Sequence, residues 1–68
     1  MEISELLVRR RKELGITAAQ AATRLKVSAA TLSHWENGRN VPVVSKWGII
    51  ADFLGVDIKE IHKMVEGK

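Results

Sequence analysis

The stretch GITAAQAATRLKVSAATLSHWENG, residues 15–38, decides the fold. Thr17-Ala18-Ala19-Gln20 reads as a capping box, in which the threonine hydroxyl and the glutamine carboxamide satisfy each other's free amides. The helix it opens continues through Ala21, Ala22 and Leu25. Lys26-Val27 is too short for anything but a tight turn. Ser28 stands where the next helix needs an N-cap, Leu32 and Trp35 face inward, and Asn37-Gly38 stops the run. Two capped helices joined this tightly must cross steeply, which is the helix-turn-helix arrangement. Leu25, Val27, Leu32 and Trp35 then plug the angle between them, and Ala21 and Ala22 let the two backbones approach. The opposite face of the third helix carries Ala29, Ala30, Ser33 and His34 outward.

The rest of the chain packs around this unit. Glu2 to Leu14 reads as a first helix, with Ile3, Leu6, Leu7 and Leu14 at helical spacing and Gly15 as its terminator. Arg39-Asn40-Val41-Pro42 is a loop. A fourth helix starts near Val43 or Ser45, presents Val44, Trp47, Ile50, Ala51 and Leu54 on one face, and ends at Gly55. Asp57-Ile58-Lys59-Glu60 resembles a capping box with an acidic cap, and the fifth helix presents Ile58, Ile61 and Val65. No alternating segment of useful length suggests a strand. The expectation is one all-α domain over residues 1–68, a compact five-helix bundle with its helix-turn-helix at helices 2 and 3. Ile49 and Phe53 fall opposite the apolar face of the fourth helix, four residues apart. Either the fifth helix folds over them or a second subunit covers them, with Met64 and Val65 joining either cluster.

A chain of 68 residues buries only about 60% of the surface its unfolded form exposes. It has no cysteine, so neither a disulfide nor a thiolate metal site supports it. No apolar run approaches the roughly 18 residues of a membrane span, and acidic Glu2 and Glu5 argue against a signal peptide. A cytoplasmic chain with no membrane partner is expected. Residues 1–46 carry eight Lys and Arg against four Asp and Glu, and residues 47–68 carry three against four. The positive charge therefore sits in the first two thirds, the distribution expected of a polyanion-binding surface.

Catalysis finds no support. His34 and His62 belong to different helices, and no HExxH or Gly-rich phosphate loop accompanies them. Ser33 and His34 are adjacent on a helix, so their side chains diverge. No metal site, no cofactor and no small-molecule ligand is expected.

GITAAQAATRLKVSAATLSHWENGRNVP and IADFLGVDIKEIH together resemble the Cro and phage-repressor type of helix-turn-helix domain, the lambda-repressor-like fold. The Gly-x-Thr start, the Val-Ser turn, WENG, the following proline and ADFLGV come in the family's order and spacing, over nearly the whole chain. The resemblance implies a transcriptional regulator, a repressor, that binds double-stranded DNA as a homodimer on a palindromic operator. It implies that the third helix, about residues 28–37, lies in the major groove. Carried over position by position, Ala29, Ala30, Ser33 and His34 read base edges. Thr17, Ser28, Thr31, Asn37 and Arg39 contact phosphates, Thr17 at a helix N-terminus that favours an anion. Arg11 and Glu36 match a structural ion pair between the first and third helices, held by the bidentate fit of guanidinium to carboxylate. Ile49, Phe53 and Met64 are the candidate dimer contact.

The sequence departs from the family pattern at three places. Ala18 replaces a phosphate-gripping glutamine, and Ala29 and Ala30 replace long polar readers. Alanine touches a thymine methyl but makes no bidentate bond. Specificity then rests on methyl contacts plus His34, or on DNA shape, or this copy reads DNA weakly. The alternative function is a protein-binding helix-turn-helix module of the antitoxin or transcriptional bridging type. Of the basic run Arg9–Lys12, Arg9 and Lys12 are expected in solvent, while Arg10 packs its stem near the apolar face with its head in water.

Overall fold

The computed structural model describes residues 2–66. It contains five helices: α1 (Ile3–Leu14), α2 (Ala18–Leu25), α3 (Ala29–Glu36), α4 (Trp47–Leu54) and α5 (Ile58–Glu66). The all-α, five-helix expectation holds. Local chemistry sets most of the boundaries. Thr17 and Gln20 form the reciprocal capping box, with Gln20 N–H donating to Thr17 Oγ1 at 3.1 Å and Thr17 N–H to Gln20 Oε1 at 2.9 Å. The Ser28 hydroxyl accepts from Thr31 N–H at 3.1 Å and caps α3. The chain leaves α3 through Gly38 at φ 73°, a left-handed conformation open to glycine without steric penalty.

Every helix contributes to one core. Ile3 and Leu7 of α1, Ala21, Ala22 and Leu25 of α2, and Leu32 and Trp35 of α3 are buried. So are Trp47, Ile50 and Ala51 of α4 and Ile61 of α5. Val27 in the turn packs against this cluster. The buried residues of α2 and α3 are those expected to plug the angle of the motif. Leu6 and Leu14 are half-buried at the margin of α1.

The structure corrects three placements. The fourth helix begins at Trp47, after a single 3-10 turn at Val44–Lys46. Val44 is therefore off the buried face and 68% exposed. Trp47 takes the buried place beside the turn, its indole N–H donating to Pro42 O at 3.0 Å. Ile58 is 49% exposed at the first turn of α5, because Val56, two residues earlier, packs on the core in its place. Asp57 does cap α5, accepting from Lys59 N–H at 2.9 Å. Glu60, however, lies 3.9 Å from Lys63 Nζ and completes no box. Arg10 keeps part of its head in solvent, with Nη1 3.6 Å from Glu13 Oε1, but its Nε turns inward and donates to Phe53 O at 2.9 Å, satisfying a carbonyl of the last turn of α4.

Candidate nucleic-acid interface

Four of the residues singled out on α3 form its solvent face. Ala29, Ala30, Ser33 and His34 are all exposed, while Leu32 and Trp35 anchor the helix from beneath. The amides of Ala29 and Ala30 lie in the first turn, where no earlier helical carbonyl reaches them. Their methyl side chains leave those donors uncovered. The same holds at α2, where the capping box occupies the amides of Thr17 and Gln20 and leaves those of Ala18 and Ala19.

The polar side chains of α3 are ordered by one another. Ser28 Oγ donates to Thr31 Oγ1 at 2.9 Å, in addition to its capping bond. Asn37 Nδ2 donates to Ser33 Oγ at 3.3 Å, and Asn37 N–H donates to Ser33 O at 3.0 Å. Beyond Gly38, Arg39 N–H donates to His34 O at 2.9 Å and closes the helix end. Thr17, Ser28, Asn37 and Arg39 are exposed, and Thr31 is half-buried.

The expected ion pair is present. Arg11 Nε donates to Glu36 Oε2 at 2.9 Å and Nη2 to Oε1 at 3.3 Å. The two side chains are 21% and 11% exposed. The guanidinium is pushed above its ordinary pKa, chiefly by the hydrogen bond it donates to Glu36, with burial opposing and the carboxylate's charge adding to the rise. The pair has an electrostatic consequence. Between Gly15 and Lys46 the sequence holds one carboxylate, Glu36, and four cations: Arg24, Lys26, Arg39 and Lys46. Arg11 reaches in from α1 and neutralises that carboxylate, leaving the cations of the motif unopposed within their own segment.

Sequence reasoning missed Lys46. Its Nζ donates to Lys26 O at 3.1 Å, bracing the turn between α2 and α3. That turn is itself unusual, because Lys26 adopts φ 59° without being glycine. The three residues proposed to form one dimer contact are separated. Ile49 and Phe53 share a shallow hollow of about 270 Å³ with Arg10, Leu14, Arg24 and Asp52. Met64 lines a different one, beside Ile3, Trp35 and Val41. The large apolar side chains that stand most exposed are Val41, Val43, Val44 and Ile58. His62 packs edge-on against the Trp47 ring, with centroids 5.5 Å apart. Among the described residues, no group of three or more His, Cys, Asp or Glu is placed to hold a metal, and no helix is long and apolar enough to cross a membrane.

A family model for the helix-turn-helix domain matches residues 2–64. The chain belongs to that family. This helix-turn-helix domain is 34% identical over 61 residues to the HTH-type transcriptional activator BcrR of Enterococcus faecalis. It is 33% identical over 61 residues to the cryptic phage CTXphi transcriptional repressor RstR of Vibrio cholerae. Each match covers 90% of this chain, but only 30% of BcrR and 54% of RstR. The resemblance to phage-repressor domains is thus met by a phage repressor among the relatives.

Proposed function

We propose that this helix-turn-helix domain binds double-stranded DNA sequence-specifically, with α3 in the major groove, and regulates transcription. One observation carries the reading. Within residues 15–46 the sole carboxylate is neutralised by Arg11, which leaves Lys26, Arg39 and Lys46 unopposed by any carboxylate of that segment, near the two ends of a helix whose outer face is small and polar. Phosphates supply most of the affinity in such complexes, through cations and free helix-end amides. Thr17, Ser28, Thr31 and Arg39 contact the backbone, and Ala29, Ala30, Ser33 and His34 face base edges. The regulatory role follows the names of the relatives, one an activator and one a repressor. We take repression, following the resemblance of residues 15–42 to phage-repressor domains and the phage repressor among the relatives. A homodimer on a palindromic operator completes the reading, with Ile49 and Phe53 as its candidate contact.

The test is selection of bound sequences from a random duplex library at one near-physiological salt concentration. A two-fold symmetric motif supports the dimeric, sequence-specific reading. Weak retention of all sequences without a motif refutes it. The second reading, a protein-binding module, draws on Ala29 and Ala30 in place of long readers and on the exposed Val41, Val43 and Val44. Salt separates the two. DNA affinity falls steeply with salt through counterion release, whereas an apolar protein contact does not weaken in that way.

A further inference from the structure

We propose that Asn37 is a positioning residue that sets the hydrogen-bonding polarity of Ser33, and so decides which bases that position of α3 accepts. The inference rests on the DNA-reading function proposed above. Asn37 had been expected to contact phosphate. Its side chain instead turns back onto its own helix, Nδ2 donating to Ser33 Oγ at 3.3 Å. The same two residues are joined a second time through their backbones, Asn37 N–H to Ser33 O at 3.0 Å. The Asn37 backbone, at φ −91° and ψ 0°, is further fixed by the turn that follows. Gly38 N–H donates to Trp35 O at 3.2 Å, and Arg39 N–H to His34 O at 2.9 Å. The amide is thereby held within one helical turn of the hydroxyl it addresses.

A serine hydroxyl has one hydrogen to donate and lone pairs to accept with. Accepting from Asn37 occupies one of its two acceptor sites, leaves the O–H free and polarises it towards donation. Thr31 is in the same condition, since its Oγ1 accepts from Ser28 Oγ at 2.9 Å. Of the two, Ser33 stands on the exposed face of α3 and offers its hydroxyl to the groove, while Thr31 is half-buried. In the major groove, guanine N7 and O6, adenine N7 and thymine O4 are acceptors, whereas cytosine presents an N4 amino donor. Ser33 biased towards donation favours guanine, adenine or thymine over cytosine at the position it faces. A neutral single hydrogen bond of this kind corresponds to about a three- to ten-fold preference.

Aspartate at position 37 carries acceptors only. Ser33 must then donate inward and present its oxygen outward, which favours an amino donor. The experiment is sequence selection with the full chain on random duplexes, comparing wild type, Asn37→Asp, Asn37→Ala and Ser33→Ala. The wild-type motif should show one position depleted of cytosine by about three- to ten-fold. Asn37→Asp should remove or reverse that depletion at the same position, even though its added charge weakens binding to every sequence. Ser33→Ala should erase the preference there, and Asn37→Ala on the Ser33→Ala background should change nothing further at that position. A helical circular dichroism spectrum matching wild type establishes that each variant is folded. If Asn37→Asp and Asn37→Ala lower affinity uniformly and leave every base preference intact, Asn37 is a phosphate contact and the inference is overturned. A wild-type chain that selects no motif overturns the base-reading function beneath it, a distinguishable result.

Discussion

Replacing Arg11 with methionine should strip this domain of a large part of its stability. The substitution keeps most of the aliphatic volume and removes both charge-assisted bonds to Glu36, at 2.9 and 3.3 Å. The carboxylate left behind is only 11% exposed. It also sits in the last turn of α3, where the negative end of the helix dipole disfavours an anion. Breaking a buried pair by removing one partner costs about 3–5 kcal/mol, and an exposed pair contributes about 0–1 kcal/mol. With side chains 21% and 11% exposed, this pair lies nearer the buried limit, and a loss of about 2–4 kcal/mol is expected. A domain of this size has about 3–10 kcal/mol in total.

Urea unfolding followed by the fluorescence of buried Trp35 and Trp47 measures the loss directly. Glu36→Gln should cost less, because the more exposed guanidinium can recover water. Combining Arg11→Met with Glu36→Leu should restore much of the loss, since no uncompensated charge remains. The guanidinium is raised above its ordinary pKa. Its contribution is therefore fully present below the unfolded value and is lost only as pH rises through the still higher folded value. The gap between wild type and Arg11→Met should stay constant from about pH 7 to pH 9. A single-variant loss under about 0.5 kcal/mol, the level of a solvated pair, would refute the tethering role, as would a double variant no more stable than Arg11→Met.

Four further outcomes are expected. Trp35→Ala, at a site 5% exposed, should cost about 3–5 kcal/mol and leave little helical circular dichroism at 37 °C. Lys26→Gly relieves the left-handed φ of 59° and should raise the urea midpoint, with a gain of about 0.5–1 kcal/mol at unchanged m-value. Arg39→Ala should weaken binding to all duplexes alike and reduce the slope of log affinity against log salt by about 0.9; an unchanged slope removes Arg39 from the interface. On the proposed homodimer, wild type should sediment as a dimer and Phe53→Glu as a monomer, and a monomeric wild type refutes the dimer. A mass that stays dimeric moves the contact elsewhere, and the exposed Val41, Val43 and Val44 are then the next surface to substitute.

What could be read from the sequence was mostly local. The capping box at Thr17 and Gln20 spans three residues, and its two bonds follow from residue type and spacing alone. The same is true of the Ser28 cap and of the inward positions Leu32 and Trp35. The Arg11–Glu36 pair spans 25 residues and was legible only through resemblance to a family. Three contacts left no trace in the sequence: Arg10 to Phe53 O, Lys46 to Lys26 O, and Trp47 to Pro42 O. All three end on backbone carbonyls. Every residue carries one, so residue type does not mark the partner. The error at Val44 has the same origin. The helical wheel placed it beside Trp47, but the bond from Trp47 to Pro42 O accompanies a 3-10 turn that the wheel does not describe.

The ion pair joins folding to the proposed function. α1 supplies no residue to the outer face of α3, yet its Arg11 holds the end of that helix and cancels the one negative charge in the segment from Gly15 to Lys46. On the proposed reading, a phosphate backbone approaching α3 meets Lys26 and Lys46 beside the α2–α3 turn and Arg39 beyond the helix end, without a competing free carboxylate from the same segment. The leading end of α3 fits the same scheme. Ala29 and Ala30 give up the bidentate bonds that long side chains make to bases. In return they leave first-turn amides uncovered and let the helix backbone come close to whatever it faces. Close approach makes the short side chain of Ser33 long enough to matter, and its hydrogen-bonding direction is biased within the helix by Asn37. A reading head of small residues therefore depends on the polarity of that one hydroxyl more than a head of long flexible residues would.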